Sequence, residues 1–154
     1  MHLMSLKFKD FIPNNSSIDN LQLKIVDYSD CKDVQAKFKF HKEVFNPSFD
    51  LKGHIESLRI SFSSGNGFGL FLYDNDILVG TLDFERTNDF AFILNYGLLE
   101  DYRDKGLGRK FLELSLNKIV KEYSNEYSEV YLLVSKSNNV ALELYKSLGF
   151  RIEN

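Results

Sequence analysis

Residues 98 to 110 read Leu98-Leu99-Glu100-Asp101-Tyr102-Arg103-Asp104-Lys105-Gly106-Leu107-Gly108-Arg109-Lys110. Arg103, Lys105, Arg109 and Lys110 are opposed by Asp104 alone, in a chain whose formal net charge is −3. A basic cluster in a mildly acidic protein asks for a local anion. Gly106 and Gly108 let backbone N–H groups turn towards such an anion without an obstructing Cβ, and a helix start adds partial positive charge. That chemistry is a pyrophosphate cradle. A dinucleotide-binding G-x-G-x-x-G needs glycine where Phe111 stands, and the G-x-x-x-x-G-K-[ST] loop has no match. The pattern that fits is R-x-x-G-x-G, Arg103 to Gly108.

A second segment runs from Asn138 to Phe150, with Ala141, Leu144, Tyr145 and Leu148 at helical spacing. Tyr145 on that stripe is either a packed core residue or a proton donor. Asp83 and Glu85 share one face of a strand, because their spacing is two. A solvated strand face is the simpler reading, and Glu85 is the better placed of the two as a base. His2, His41 and His54 lack metal-ligand spacing, so no metal site is expected, and His41 reads as a packing or helix-surface residue. Cys31, near a helix start and without a paired histidine, reads as a small buried residue.

These groups need elements to hold them. Residues 1–20 show little periodicity and contain the turn-like Pro13-Asn14-Asn15-Ser16-Ser17, which suggests a loosely attached arm before a domain over 21–154. Leu21, Leu23 and Ile25 alternate as in a half-buried strand. Ser29 or Asp30 can cap a helix with Val34, Phe38 and Phe45 inward, and Asn46-Pro47 ends it. Ile55, Leu58 and Phe62 place a second helix over about 51–62. Three strands with short turns at 74–76 and 87–89 then form an antiparallel meander ending near Leu99. A helix over about 106–121, an apolar strand at 130–134 and the helix carrying Tyr145 follow, with Gly149 as a left-handed stop. Strand, helix, strand is a βαβ unit, so the strands at 90–99 and 130–134 are parallel. The expected class is α/β: one domain, a central mixed but mostly antiparallel sheet, flanking helices.

Length and composition exclude other classes. A chain of 154 residues with 44% hydrophobic and 27% charged residues is one ordinary globular domain, not a disordered one. One cysteine allows no internal disulfide and no multi-cysteine zinc site. No apolar run approaches membrane-spanning length and residues 1–9 lack a signal-peptide pattern, so no membrane partner and a cytoplasmic location are expected. The acidic balance argues against nucleic acid as the main ligand.

Arg103-x-x-Gly106-x-Gly108 resembles motif A of the GNAT-superfamily N-acetyltransferases. Asn138-x-x-Ala141-x-x-Leu144-Tyr145-x-x-x-Gly149-Phe150 is similar to the same family's segment one helix and one strand later. The order of elements from about Leu21 onward agrees, so the resemblance covers about four-fifths of the chain. It implies acetyl-CoA as acyl donor and a primary amine as acceptor, in a ternary complex. Backbone groups at Leu98, Leu99 and Glu100 would hold the pantetheine arm. The amides of Arg103, Asp104, Lys105, Gly106, Leu107, Gly108, Arg109 and Lys110 would hold the pyrophosphate. Asn138 and Ala141 would flank the cofactor arm. Tyr145, near the sulfur, would act as general acid, and a backbone N–H near Leu98 would stabilise the oxyanion. Glu85 is the residue left to act as base. After Gly149-Phe150 the sequence holds room for one short strand, so the acceptor site is either unusually open or completed by the arm or by a second copy in a homodimer. A non-catalytic acyl-CoA-binding sensor or regulatory module is the alternative.

Overall fold

The hairpin signal at 74–76 is realised as a two-residue turn between the two longest-paired strands of the sheet. A computed structural model describes residues 1–13, 17–18 and 20–154, so most of the turn-like stretch at 13–17 lies outside the described residues. The strands are β1 (His2–Lys7), β2 (Gln22–Val26), β3 (Gly67–Asp74), β4 (Ile77–Arg86), β5 (Ala91–Leu98), β6 (Glu129–Val134) and β7 (Arg151–Ile152). The helices are α1 (Cys31–Phe45), α2 (Leu51–Ser63), α3 (Leu107–Tyr123) and α4 (Asn139–Ser147). Among the described residues the sheet runs β2-β3-β4-β5-β6-β1-β7, antiparallel everywhere except between β5 and β6. No helix of the described residues is long and apolar enough to cross a membrane.

Each face of the sheet carries its own core. Leu70, Leu72, Leu82, Phe84 and Ile93 meet Phe111, Leu112, Leu116 and Ile119 of α3 and Leu142 and Tyr145 of α4. On the opposite face Phe71 meets Leu51, Ile55, Leu58 and Phe62 of α2. Asp30 caps α1 by accepting from the Lys32 amide at 2.9 Å, as the sequence predicts. The inward face of α1 differs from the prediction. Val34, Phe38 and Phe45 are only partly buried, and the buried positions are Asp33, Lys37, Phe40 and His41. Apolar periodicity misses this face because polar residues with specific partners occupy it. Cys31 is exposed as the first residue of α1, not buried.

The larger correction concerns the N-terminal segment. Residues 2–11 are not a loose arm, because β1 lies between β6 and β7 and pairs antiparallel with both. Met4 and Leu6 have no exposed surface, and Phe8 and Phe11 are buried in the same core. The alternation Met4-Leu6-Phe8 carries the strand signal, but Leu3 on the exposed side blurs the period. Leu6→Ala is therefore expected to destabilise the protein by about 2–5 kcal/mol in urea denaturation, as for a core leucine. A change within about 0.5 kcal/mol, usual for a surface position, would contradict an internal β1.

Candidate active site

β5 ends at Leu98 and a short 3-10 turn, Glu100–Tyr102, leads into the loop before α3. That turn uses two amides: Tyr102 donates to the Leu99 carbonyl and Arg103 to the Glu100 carbonyl. Lys110 donates to the Gly106 carbonyl as α3 closes its first turn. Among the described residues, the amides of 104 to 109 have no acceptor, which defines the cradle more narrowly than Arg103 to Lys110. Gly106, the α3 N-cap, sits at φ +77°, which favours glycine. Gly108 packs against Tyr96, whose hydroxyl donates to the Gly108 carbonyl at 2.6 Å; a Cβ at 108 would meet that oxygen at 3.0 Å. The basic side chains are largely tethered. Arg103 Nε donates to the Leu98 carbonyl at 3.0 Å, Lys105 Nζ to the Asp101 carbonyl at 3.0 Å, and Arg109 pairs with Glu113 at 2.9 Å. The loop thus presents backbone donors first, with the side chains around them.

Beyond Tyr96, which bonds this loop, a cleft opens between β5 and β6. The two strands share one registered pair, Phe92 with Tyr131, and diverge beyond it. The cleft has a volume of about 920 Å³, and Tyr96, Asn95, Val134, Asn138 and Tyr145 line it together with Phe45, Phe49, His41 and His54 of the α1–α2 side. Leu99 N–H bonds the Val79 carbonyl at 2.9 Å, so the alternation of an antiparallel ladder turns the Leu98 N–H to the other side, where β6 has moved away. Asn138 Oδ1 caps α4 through the Ala141 amide at 3.2 Å, leaving its own NH₂ uncommitted. Tyr145 is 7% exposed, its ring 6.3 Å from that of Tyr96, and burial pushes its hydroxyl up to about 12. Glu85, half-buried at the far end of β4, is not among the residues that line the cleft.

Behind the cleft lies a polar network that the sequence reading missed. Asp83 is fully buried, not solvated. Lys37 Nζ stands 3.0 Å from Asp83 Oδ2 with neither side chain exposed, Tyr28 donates to Oδ1 at 2.6 Å, and Asn95 Nδ2 donates to Oδ2 at 2.7 Å. Burial lowers the Lys37 pKa, with the Asp83 carboxylate opposing, and burial followed by Asp83 raises that of Tyr28 well above its ordinary value. Asn95 belongs to a bulge: Asn95 and Tyr96 both stand between the pairs Asp83–Leu94 and Thr81–Gly97, and Asn95 has φ +53°. The extra residue re-aims the strand. Leu94 and Asn95 both face the α1–α2 side, which puts Tyr96 and Leu98 on the α3–α4 side. The legible signal was Asp83 between the apolar Leu82 and Phe84 of β4, a charge that requires a partner when buried.

The chain belongs to the acetyltransferase (GNAT) family, whose model matches residues 34–150. It is 34% identical over 84 residues to N-alpha-acetyltransferase 50 of Danio rerio, covering 52% of this chain and 49% of that protein. It is 29% identical over 118 residues to "Probable N-acetyltransferase san" of Drosophila melanogaster, covering 74% and 60%. The chain thus spans about half to three-fifths of the length of these relatives. Its fold is also that of the ribosomal-protein-S18-alanine N-acetyltransferase from Escherichia coli, with TM-score 0.65, 21% identity and coverage of 87% and 79%.

Two outcomes follow from the network. Lys37→Met leaves Asp83 charged, buried and uncompensated, so a loss of about 3–5 kcal/mol is expected in urea denaturation. A loss under about 1 kcal/mol would show that the pair is not buried as described. His41 is lowered to about 4, first by burial, then by Lys37 and His54. Its unfolded-state value is the higher one, so its contribution is intact above about 6.5 and is lost as pH falls from there towards about 4. His41→Gln should flatten the stability–pH profile between these limits, read by denaturation at a series of pH values.

Proposed function

We propose that the protein is an acetyl-CoA-dependent N-acetyltransferase acting on a primary α-amine in a ternary complex. The observation that carries this reading is the continuity of two features. A run of unpaired amides at a helix start is joined to a cleft between diverging strands through Tyr96, which lines the cleft and donates to the Gly108 carbonyl, and Tyr145 stands on the cleft wall.

The residues fit the donor. The amides of 104–109, gathered by the left-handed Gly106, present donors and helix-start charge to a pyrophosphate. The Leu98 N–H and the Asn138 side-chain amide would bond the arm of the cofactor along the splayed edge. Bound acetyl-CoA would supply an activated acetyl thioester at the cleft, where the Leu98 N–H can stabilise charge developing on its oxygen. Tyr145 stays neutral at every working pH. Burial pushes its hydroxyl well above the range of a free thiol, so it holds its proton more tightly than a thiol does. Tyr145 therefore serves as a hydrogen-bond donor to the leaving sulfur, with the final proton coming from solvent.

The choice of an α-amine rests on the acceptor's own chemistry. The lining of the cleft includes no carboxylate. With no carboxylate there to take its proton, an amine already neutral in solution is favoured. An α-amine, with a pKa near 7.7–8.0, is neutral several hundred times more often at pH 7 than a lysine amine near 10.4. Two relatives named for N-acetyl transfer, one of them at the α-position, agree with this. A non-catalytic acyl-CoA-binding module is the second reading, and the same lack of a carboxylate favours it.

Acetyl-CoA at 100 times its Kd should raise stability by about 2.7 kcal/mol, seen as an upward Tm shift. Gly108→Glu, which puts bulk against Tyr96 and charge into the cradle, should abolish that shift while the protein stays folded. A shift retained in Gly108→Glu would place the cofactor elsewhere. Tyr145→Phe should lower kcat about tenfold or more and leave acetyl-CoA affinity unchanged. Acetyl-CoA binding without turnover on a panel of α-amines would decide for the sensor. For an active enzyme, kcat/KM should rise tenfold per pH unit below the pKa of the amine.

A further inference from the structure

We infer that His54 is a specificity-determining hydrogen-bond donor that reads a carbonyl beside the acceptor amine, so that the acceptor is an α-aminoacyl compound and not a simple alkylamine. This rests on the transferase reading above and names the substrate class of the same site. The argument begins with a charge. Every partner of Asp83, namely Lys37, Tyr28 and Asn95, is a donor, which holds it as a carboxylate. A carboxylate offers only lone pairs, so Asn95 must turn its NH₂, not its oxygen, towards Oδ2. The same Nδ2 lies 3.0 Å from His54 Nε2 and has one hydrogen left. Nε2 therefore accepts, and the ring proton of the neutral imidazole sits on Nδ1. An N–H on Nε2 would face the Asn95 N–H, so the geometry leaves Nδ1 as the donor.

The surroundings agree. His54 is half-buried on α2 and lines the cleft opposite Tyr96 and Tyr145. The groups facing it are the rings of Phe49 at 5.4 Å and His41 at 5.9 Å, and Asn95 with the Lys37–Asp83 pair behind it. None of these offers Nδ1–H an acceptor, and no described residue takes its proton. A donor held in one orientation between the rings of Phe49 and His41, on the α2 side of the cleft, matches the carbonyl of an aminoacyl group. A simple alkylamine would leave it unpaired, which is the stronger form of discrimination. Asn95, Asp83 and Lys37 act through His54 and are positioning residues.

The test uses ¹⁵N-histidine-labelled protein with CoA bound, titrated with an amino-acid amide and with the alkylamine that lacks its carbonyl. His54 should carry its proton on Nδ1, and that proton should shift on adding the amide and not the alkylamine. Asp83→Asn removes the charge that orients Asn95, and should yield both neutral tautomers. In kinetics, His54→Gln should raise KM for the amide about tenfold. KM for the alkylamine and acetyl-CoA affinity should not move. His54→Asn, which can restore a donor at the Nδ1 position, should recover most of the loss. A proton on Nε2, equal responses to the two amines, or an unchanged tautomer in Asp83→Asn would each overturn the inference. A His54 response to the amide in a protein that transfers no acetyl group would defeat the transferase reading, and the assignment of an acceptor with it, while leaving the carbonyl contact of His54 in place.

Discussion

Parallel strands that begin as neighbours and then part leave backbone groups in the middle of a sheet with nothing to bond. In this protein β5 and β6 share one registered pair, Phe92 with Tyr131, and the ladder stops there. Unpaired N–H and C=O groups inside a fold are costly unless water or a ligand reaches them, so the divergence demands a cleft. Everything at the site follows from that gap. α3 starts at its end with unpaired amides, α4 brings Tyr145 to its wall, and the α1–α2 connection closes its opposite side. β1, on the far side of β6, keeps that strand inside the sheet and lets it diverge without becoming an edge.

The second constraint is electrostatic. A bulge in β5 turns Asn95 to one side of the sheet and Tyr96 to the other, and a non-glycine residue at φ +53° does not hold itself there. The Lys37–Asp83 pair, with Tyr28, supplies the fixed carboxylate that Asn95 bonds, and Thr81 donates to the Asn95 carbonyl at 3.0 Å. A buried ion pair adds little to stability compared with apolar packing of the same volume. Its value here is orientation: one charge at the core fixes an amide, the amide fixes an imidazole, and the bulge holds Tyr96 against the cradle loop at Gly108.

What could be read from the sequence divides along the same line. The glycine turn at the start of α3 was legible because glycine and a helix start act locally, and the α3, α4 and hairpin elements because their apolar periods are clean. β1 was obscured by Leu3 on its exposed side and by pairing that joins residues more than 120 positions apart, such as Ser5 with Tyr131. The acceptor half of the site was not legible. Lys37, His41 and His54 stand at polar positions of ordinary amphipathic helices, and only the tertiary fold brings them to Asp83 and Asn95. Glu85 was the natural choice of base from spacing alone, yet the cleft opens on the other side of β5, along β6.

The central claim is that one continuous site, from the amides of 104–109 to the Leu98 edge of β5, holds the acyl donor. Titrating CoA into ¹⁵N-labelled protein and following backbone amide shifts tests it directly. The account predicts saturable binding with the largest shifts at residues 104–109 and at Leu98, and little change along β2 and β3. Saturable binding that moves amides elsewhere and leaves 104–109 unchanged would contradict it, as would a folded protein that does not bind CoA.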